Sequence, residues 1–396
     1  MSVETKPRLD NSDTQRPKRF VLYFHFAPLH NMHLKKDLEI ARFAWRNGFE
    51  STLIVGDIRN DVDKSHDFFR EVHVAKTGNV RRGKFPNVRD YPREFSQVIR
   101  LLCAKEPEVV LSIHPWIVAP LILLTYRLIM RVRRFLRLTS VLPRFILWMD
   151  SDGRLFTESG LRIFWRFVLL LNWMIFDKLI TASTCSANRI GKYLPTKSKL
   201  LIIPHGYSSF VYKKTSYLET KREPVILTVA RIVRKKGLDV LLSAFSIIHA
   251  RFPDWQVCIA GPVEDEAYYR ELLCEISKNQ IGSKVHFLGY ISEEDLRTLY
   301  NHSQIFCLPS REEGFPIARL EAAASGLPLV ISEAGCGADL GRIGAIVGPT
   351  DNVNWLAKAL TTLASDERLR IESSNKLQAH ILSWEQVTTL ILKSIV

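Results

Sequence analysis

A chain of 396 residues, 46% hydrophobic and 24% charged, is too long for one ordinary core and reads as about two globular domains. The net charge of +14 is carried by one half. Residues 1–220 hold 36 Lys/Arg against 20 Asp/Glu, and residues 221–396 hold 19 against 21, so an anionic partner is expected for the first half only. Six scattered cysteines with no CxxC pair exclude a disulfide scaffold and fit buried thiols in a reducing compartment.

The chain opens on MSVETKPRLDNSDTQRPK (1–18), a polar stretch that predicts a disordered tail. It lacks the apolar core of a signal peptide, so a cytoplasmic location is expected. RFVLYFHF (19–26) predicts a strand, LKKDLEIARFAWRNG (34–48) a helix and STLIVGD (51–57) the next strand. Further strands are predicted at EVVLSIH (108–114), RFILWMD (144–150), DKLITAS (177–183) and LLIIPHG (200–206). YKKTSYLETKRE (212–223) has no apolar period and reads as an interdomain linker.

Two apolar runs lie between these strands. On LILLTYRLIMRVRRFLRL (121–138), Arg127, Arg131, Arg133, Arg134 and Arg137 cover a helical arc of about 160°. Leu128, Ile129, Val132, Phe135 and Leu136 are expected on the opposite side. LRIFWRFVLLLNWMIF (161–176) adds Arg162 and Arg166 with Trp165 and Trp173. Both runs are too short and too interrupted by arginine to span a bilayer, so burial or interfacial binding is expected. A basic amphipathic helix suits an anionic membrane surface, and Arg127, Arg131 and Arg134 are the residues expected on that side. No zinc finger, helix-turn-helix or aromatic-interleaved basic sheet points to nucleic acid.

The second half alternates more cleanly. Strands are predicted at PVILTVA (224–230), WQVCIAG (255–261), VHFLGY (285–290), IFCLP (305–309) and PLVIS (328–332). Helices are predicted at 238–252, 265–279 and 293–302. Short apolar strands alternating with helices predict a parallel sheet covered on both faces, the doubly wound α/β arrangement. The expected fold class is α/β: two Rossmann-like doubly wound domains facing a central cleft, with ligands at the carboxyl ends of the strands.

At one such end the sequence reads SREEGFPIARLEAAASGLPLV (310–330), with Glu313 and Glu321 seven residues apart on either side of a predicted helix start. Pro316 suits the first turn, where its missing N–H costs nothing. A helix start favours phosphate, and a carboxylate can clamp vicinal hydroxyls, which together suit a nucleotide-sugar. The bland alternative is a capping Glu and a surface Glu on an ordinary helix. In VARIVRKKGLDVLLSAF (229–245), Arg231 stands at a strand end and Lys236 directly precedes Gly237. Two cations at the mouth of a sheet can neutralise a diphosphate leaving group.

These segments, with VCIAGP, VHFLGYISEEDLRTLY and the terminal SWEQV, resemble the donor-binding domain of the retaining GT-B glycosyltransferases of family 4, also called group 1. The resemblance covers residues 224–385 and is weak and topological before them. It implies a two-domain GT-B enzyme that moves a hexose-type sugar from a UDP- or GDP-sugar to a hydroxyl acceptor with retention of configuration. A lipid-linked saccharide is one candidate acceptor. The resemblance assigns Arg231 and Lys236 to the donor diphosphate, Glu321 to the ribose, and Glu313 to the transferred sugar and the reacting centre. Gly314 and Phe315 would approach the phosphates or the sugar through their backbone. No metal and no other cofactor is implied. The expected organisation is a tail (1–18), an acceptor-binding domain (19–216) and a nucleotide-sugar-binding domain (217–382). The last segment (383–396) is a helix that can pack back on the first domain.

Two departures from that family's pattern stand out. The loop APLHNMHLKKD (27–37) has no glycine where members often carry a pair, leaving His30, Asn31 or His33 as candidates at the phosphate. Where members often carry a histidine after RFILWM, this chain reads Asp150-Ser151-Asp152-Gly153. Asp150 can act on an acceptor hydroxyl or cap the following helix, and an Asp-x-Asp can also hold a divalent metal in the rival GT-A fold, which the second half fits less well. The alternative of another class is a non-catalytic nucleotide-sugar-binding protein of the same fold.

Overall fold

The computed structural model describes residues 18–29, 39–44, 46–58, 71–74, 91–113, 118–149, 156, 158–209 and 211–394. The chain divides into two compact units. The first holds Met1–Thr181, Ala187–Ile203 and Trp384–Val396, and the second holds Ala182–Ser186 and Pro204–Ser383.

Seven described strands build the sheet of the first unit: β1 (Lys18–Leu29), β2 (Phe49–Ile58), β3 (Glu71–Val74), β4 (Val109–Ile113), β5 (Arg144–Met149), β6 (Lys178–Thr181) and β7 (Leu200–Ile202). Their order is β3-β2-β1-β4-β5-β6-β7, and every described pair is parallel. Strand β5 buries five consecutive residues after an exposed Arg144, as a strand covered on both faces must. Its described helices include α1 (Tyr91–Lys105), α2 (Val118–Phe135) and α3 (Arg162–Ile175). Successive right-handed crossovers from β4 to β5 and from β5 to β6 put α2 and α3 on the same face of the sheet. Ile122, Tyr126 and Met130 of α2 accordingly share one buried cluster with Leu169 and Ile175 of α3.

Helix α4 (Thr184–Gly191) follows β6. Six described strands build the second sheet: β8 (Val225–Val229), β9 (Gln256–Ala260), β10 (Val285–Gly289), β11 (Ile305–Leu308), β12 (Leu329–Ser332) and β13 (Ile346–Gly348). Their order is β10-β9-β8-β11-β12-β13, again all parallel. The central strands β11 and β12 are buried throughout. The helices are α5 (Leu238–Ile248), α6 (Glu266–Lys278), α7 (Glu293–His302), α8 (Ile317–Ala324), α9 (Gly337–Arg342), α10 (Val353–Ser365) and α11 (Glu367–His380). Asp265, Ser292, Asn352 and Asp366 cap α6, α7, α10 and α11 by accepting from the amide three residues on, which holds each helix start in register. The last helix, α12 (Trp384–Lys393), clusters with the first unit, where the Trp384 ring lies 6.3 Å from that of Trp148.

Both sheets are parallel and doubly wound, and the predicted strands lie at the expected places; much of the predicted helix at 34–48 lies outside the described residues. The segment 212–223 departs from its reading as a linker. Tyr212 and Tyr217 are buried at 1% and 3% exposure, and Arg222 donates to the carbonyls of Tyr217, Tyr300, Ser303 and Ser325. The segment is therefore part of the second unit, whose main stretch begins at Pro204. Two buried rings and one guanidinium anchor it without any periodic pattern. The short strands β3 and β13, at the sheet margins, and the helices α1, α4, α9, α10 and α11 add to the elements expected from the sequence.

Candidate functional site

At the carboxyl ends of β8, β11 and β12 three loops of the second unit come together. The loop after β8 closes on Gly237, whose φ of +66° is left-handed. A Cβ there would lie 2.2 Å from the carbonyl oxygen of Pro309, so only glycine lets the 234–237 turn rest against the loop after β11. The two loops are laced further. The Arg311 amide donates to the Lys235 carbonyl at 2.8 Å, and the Arg311 guanidinium donates to the Arg234 carbonyl and to both oxygens of Asp239. Asp351 accepts from Arg311 as well. From the third side, Gly335 (φ +66°) sits where a Cβ would meet the Gly314 carbonyl oxygen at 2.3 Å.

This lacing brings Lys236 and Glu313 together. The ammonium lies 2.5 Å from Glu313 Oε1, and Ser310 Oγ donates to the same oxygen at 2.7 Å. The two side chains are only 12% and 8% exposed. Burial pulls the Lys236 pKa below its ordinary value, and the charge and hydrogen bond of Glu313 oppose that pull without cancelling it. An ammonium held this way is poorly solvated, so a second anion beside it is favourable. Arg231 pairs with Glu264 at 2.7 Å and remains one-third exposed. Its positive charge is felt by Lys236.

Glu321 sits one turn into α8 and has different company. The Tyr300 hydroxyl donates to its Oε2 at 3.2 Å. Tyr300 is fully buried, and burial together with the Glu321 charge pushes its phenol well above the ordinary range. It therefore stays a donor. Tyr212 stacks edge-on against Tyr300 with centroids 5.7 Å apart. Helix α8 begins from Pro316, the cap residue itself and not yet in the first turn, with no side-chain cap. Phe315 stacks on the buried His205, centroids 4.9 Å apart. Ser310, Glu264, Tyr300 and His205 join the site without having been picked out from the sequence. The Pro-His-Gly after LLII was the only local hint of His205. The other three carry no local signal, because their partners lie between 3 and 33 residues away with no fixed spacing.

His30 and Asp150 lie outside the described residues. Arg127 is corrected by the structure. It does not face outward but pairs with Asp177 at 2.6 Å, its guanidinium 4.3 Å from the centre of the Phe145 ring. Arg133 likewise turns in, to Glu106 at 2.7 Å. Arg131 and Arg134 are exposed. Among the described residues no group of three or more His, Cys, Asp or Glu is placed to hold a metal ion.

Residues 213–380 match the model of the family described as glycosyl transferases group 1. An uncharacterized glycosyltransferase of Haemophilus influenzae is 27% identical over 203 residues, 50% of this chain and 55% of that protein. The GDP-mannose-dependent monoacylated alpha-(1-6)-phosphatidylinositol monomannoside mannosyltransferase of Corynebacterium glutamicum is 31% identical over 185 residues, 44% of this chain and 46% of that protein. The matches to these two curated relatives span about half of each relative's length. Among solved structures, Anabaena HepE in complex with UDP superposes with a TM-score of 0.72 at 14% identity, covering 96% of this chain and 99% of that one. Sucrose-phosphate synthase of Thermosynechococcus elongatus gives 0.69 at 16% identity, covering 96% and 98%. The chain has the GT-B fold, built from two Rossmann-like units.

Proposed function

We propose that the protein is a glycosyltransferase that moves a hexose-type sugar from a nucleotide-sugar, with UDP- and GDP-sugars the first candidates, to a hydroxyl acceptor with retention of configuration. The observation that carries this reading is the buried Lys236–Glu313 pair at the carboxyl ends of the strands, with Arg231 close by. On entry of the donor, its diphosphate takes the place of Glu313 as the main partner of Lys236, and Arg231 is drawn from Glu264. The bond from the anomeric carbon to the phosphate oxygen breaks as the acceptor oxygen bonds to that carbon from the same face. The acceptor proton passes to the leaving diphosphate, whose charge Arg231 and Lys236 stabilise. Glu313, released from Lys236, orients the sugar hydroxyls. Glu321, itself oriented by Tyr300, takes the ribose. The amides of Gly314 and Phe315 approach the phosphates or the sugar, in the manner of an uncapped helix start.

The relatives support the class. One acts on GDP-mannose and a phosphatidylinositol monomannoside by its name, and one solved neighbour was captured with UDP-glucose. A lipid-linked saccharide is the acceptor we favour, which places the protein peripherally on the inner face of the cell membrane.

A thermal-shift panel with UDP, GDP, ADP, dTDP and their sugar conjugates tests the donor. A ligand at 100 times its Kd adds about 2.7 kcal/mol, a shift of several degrees. The expected result is stabilisation by one nucleotide, lost in Lys236→Ala. Stabilisation by none of them overturns the reading. If Glu313→Ala keeps the shift and the wild type transfers no sugar, the protein is a nucleotide-sugar-binding protein and not an enzyme.

A further inference from the structure

Helix α2 buries Ile122, Tyr126 and Met130 in the core of the first unit. Its other apolar residues do the opposite. Leu121, Leu124, Leu128, Val132 and Phe135 are 43%, 38%, 51%, 57% and 86% exposed. Their spacing of three and four residues keeps them within about 80° of arc, on the side directly away from the buried stripe. The expected basic arc is thus divided: Arg127 and Arg133 pair with Asp177 and Glu106, while Arg131 and Arg134 stay exposed beside the apolar stripe. Helix α3 repeats the pattern. Ile163, Phe167, Leu170 and Met174 are exposed, up to 77% at Ile163, while Val168, Leu169, Asn172 and Ile175 are buried.

The two helices pack against one another on one face of the sheet, so both apolar stripes project away from the same side of the unit. Exposed apolar side chains in such number on adjacent helices mark a docking surface. The surrounding charge selects the occupant. From 109 to 149 the sequence has six arginines and no Asp or Glu, and from 159 to 176 it has two and none. Arg131, Arg134, Arg137 and Arg162 are exposed beside the stripes, and no ion pair of theirs is found among the described residues. A protein partner would need a matching acidic rim. A bilayer with anionic headgroups supplies the apolar layer and the negative charge together. Among the described residues no helix is long and apolar enough to cross a membrane, which fits helices that lie in the interface plane.

We propose that the outward faces of α2 and α3 form a monotopic docking surface for an anionic lipid bilayer, with Phe135, Ile163 and Phe167 inserted below the headgroups and Arg131 and Arg134 at their level. Docking extends the lipid-linked acceptor reading but rests on the surface of this unit alone.

The full chain is mixed with vesicles of phosphatidylcholine, or of phosphatidylcholine with phosphatidylglycerol, and sedimented. The wild type is expected to sediment with the mixed vesicles, to be released by high salt, and to bind the neutral ones weakly. The triple variant Phe135→Ser, Ile163→Ser, Phe167→Ser should bind the mixed vesicles at least about tenfold more weakly. Arg131→Glu with Arg134→Glu should lose the preference for anionic lipid. All these positions are exposed, so both variants should keep the wild-type melting temperature and any nucleotide-induced shift, which separates failure of docking from failure of the donor reading. A wild type that ignores the mixed vesicles, or a triple variant that binds like wild type, overturns the proposal. A wild type that self-associates without binding vesicles, and becomes monomeric in the triple variant, overturns it in favour of a contact between copies of the chain.

Discussion

The cations at the mouth of the second sheet and those on the outer side of α2 are handled in opposite ways. At the mouth of the second sheet, Arg231, Lys236 and Arg311 are each held by a carboxylate at 2.5–2.7 Å. On α2 of the first unit, Arg127 and Arg133 are so held, and among the described residues no carboxylate partner is found for Arg131 and Arg134, which stay exposed beside bare apolar side chains. Burial makes the difference. A cation removed from water needs a counter-charge within the fold, and a ligand can take that counter-charge's place. A solvated cation needs none and acts at a distance, on whatever surface approaches. On the readings proposed above, the same residue type serves a small-molecule site in one unit and a docking surface in the other.

The sharpest way to break this comparison is at Lys236. Lys236→Ala leaves the Glu313 carboxylate, 8% exposed, without its cation, and stability should fall by about 3 kcal/mol, read from urea unfolding. Lys236→Met with Glu313→Leu should recover most of that loss and still show no nucleotide-induced shift. Recovery of both would mean that the pair is structural only.

Gly335→Ala comes next. A Cβ at φ +66° and 2.3 Å from the Gly314 carbonyl oxygen must push the Glu313–Phe315 turn aside. A loss of about 1–3 kcal/mol is expected, with a larger proportional loss of nucleotide affinity, both visible in one melting series with and without ligand.

The third lever is pH. Burial opposes the ionisation of Asp239, but hydrogen bonds from Arg311 and Tyr268 outweigh it and hold its carboxyl below the ordinary carboxylate value. A carboxyl depressed in the fold contributes stability above its unfolded pKa and loses it as pH falls through the folded value. Part of the acid unfolding seen below about pH 4 should thus belong to Asp239, and circular dichroism of Asp239→Asn should show a flatter acid limb from a lower starting stability.

The smallest effects sharpen the contrast on α2. Arg127→Gln removes a half-buried charged hydrogen bond and should cost about 1.5 kcal/mol. Arg131→Gln with Arg134→Gln should change the unfolding free energy by less than about 0.5 kcal/mol. Equal costs for the two variants would mean that the outward arginines are structural after all.

Much of this was legible in the sequence alone. Runs such as VILTV, IFCL and LVIS read as strands of a covered parallel sheet, because they are short, have no face left for water and alternate with helical patterns. The spacing of Glu313 and Glu321 about a helix start, and the placing of Lys236 before Gly237, were local facts that read correctly as two loops at the mouth of one sheet. The sequence could not show that Lys236 lies against Glu313, 77 residues away, because that contact depends on Gly237 and Gly335 letting three loops touch. Nor could it show which face of α2 turns inward. Arginine and leucine alternate there closely enough for either face to be the buried one. Ile122, Tyr126 and Met130 fill the core, Asp177 and Glu106 take Arg127 and Arg133 beside them, and Leu128, Val132 and Phe135 are left outside. Local pattern determined the elements, since it depends on neighbours a few residues apart. Partners distant in sequence decided where each charge finds its counter-charge, and only the tertiary fold brings those partners together.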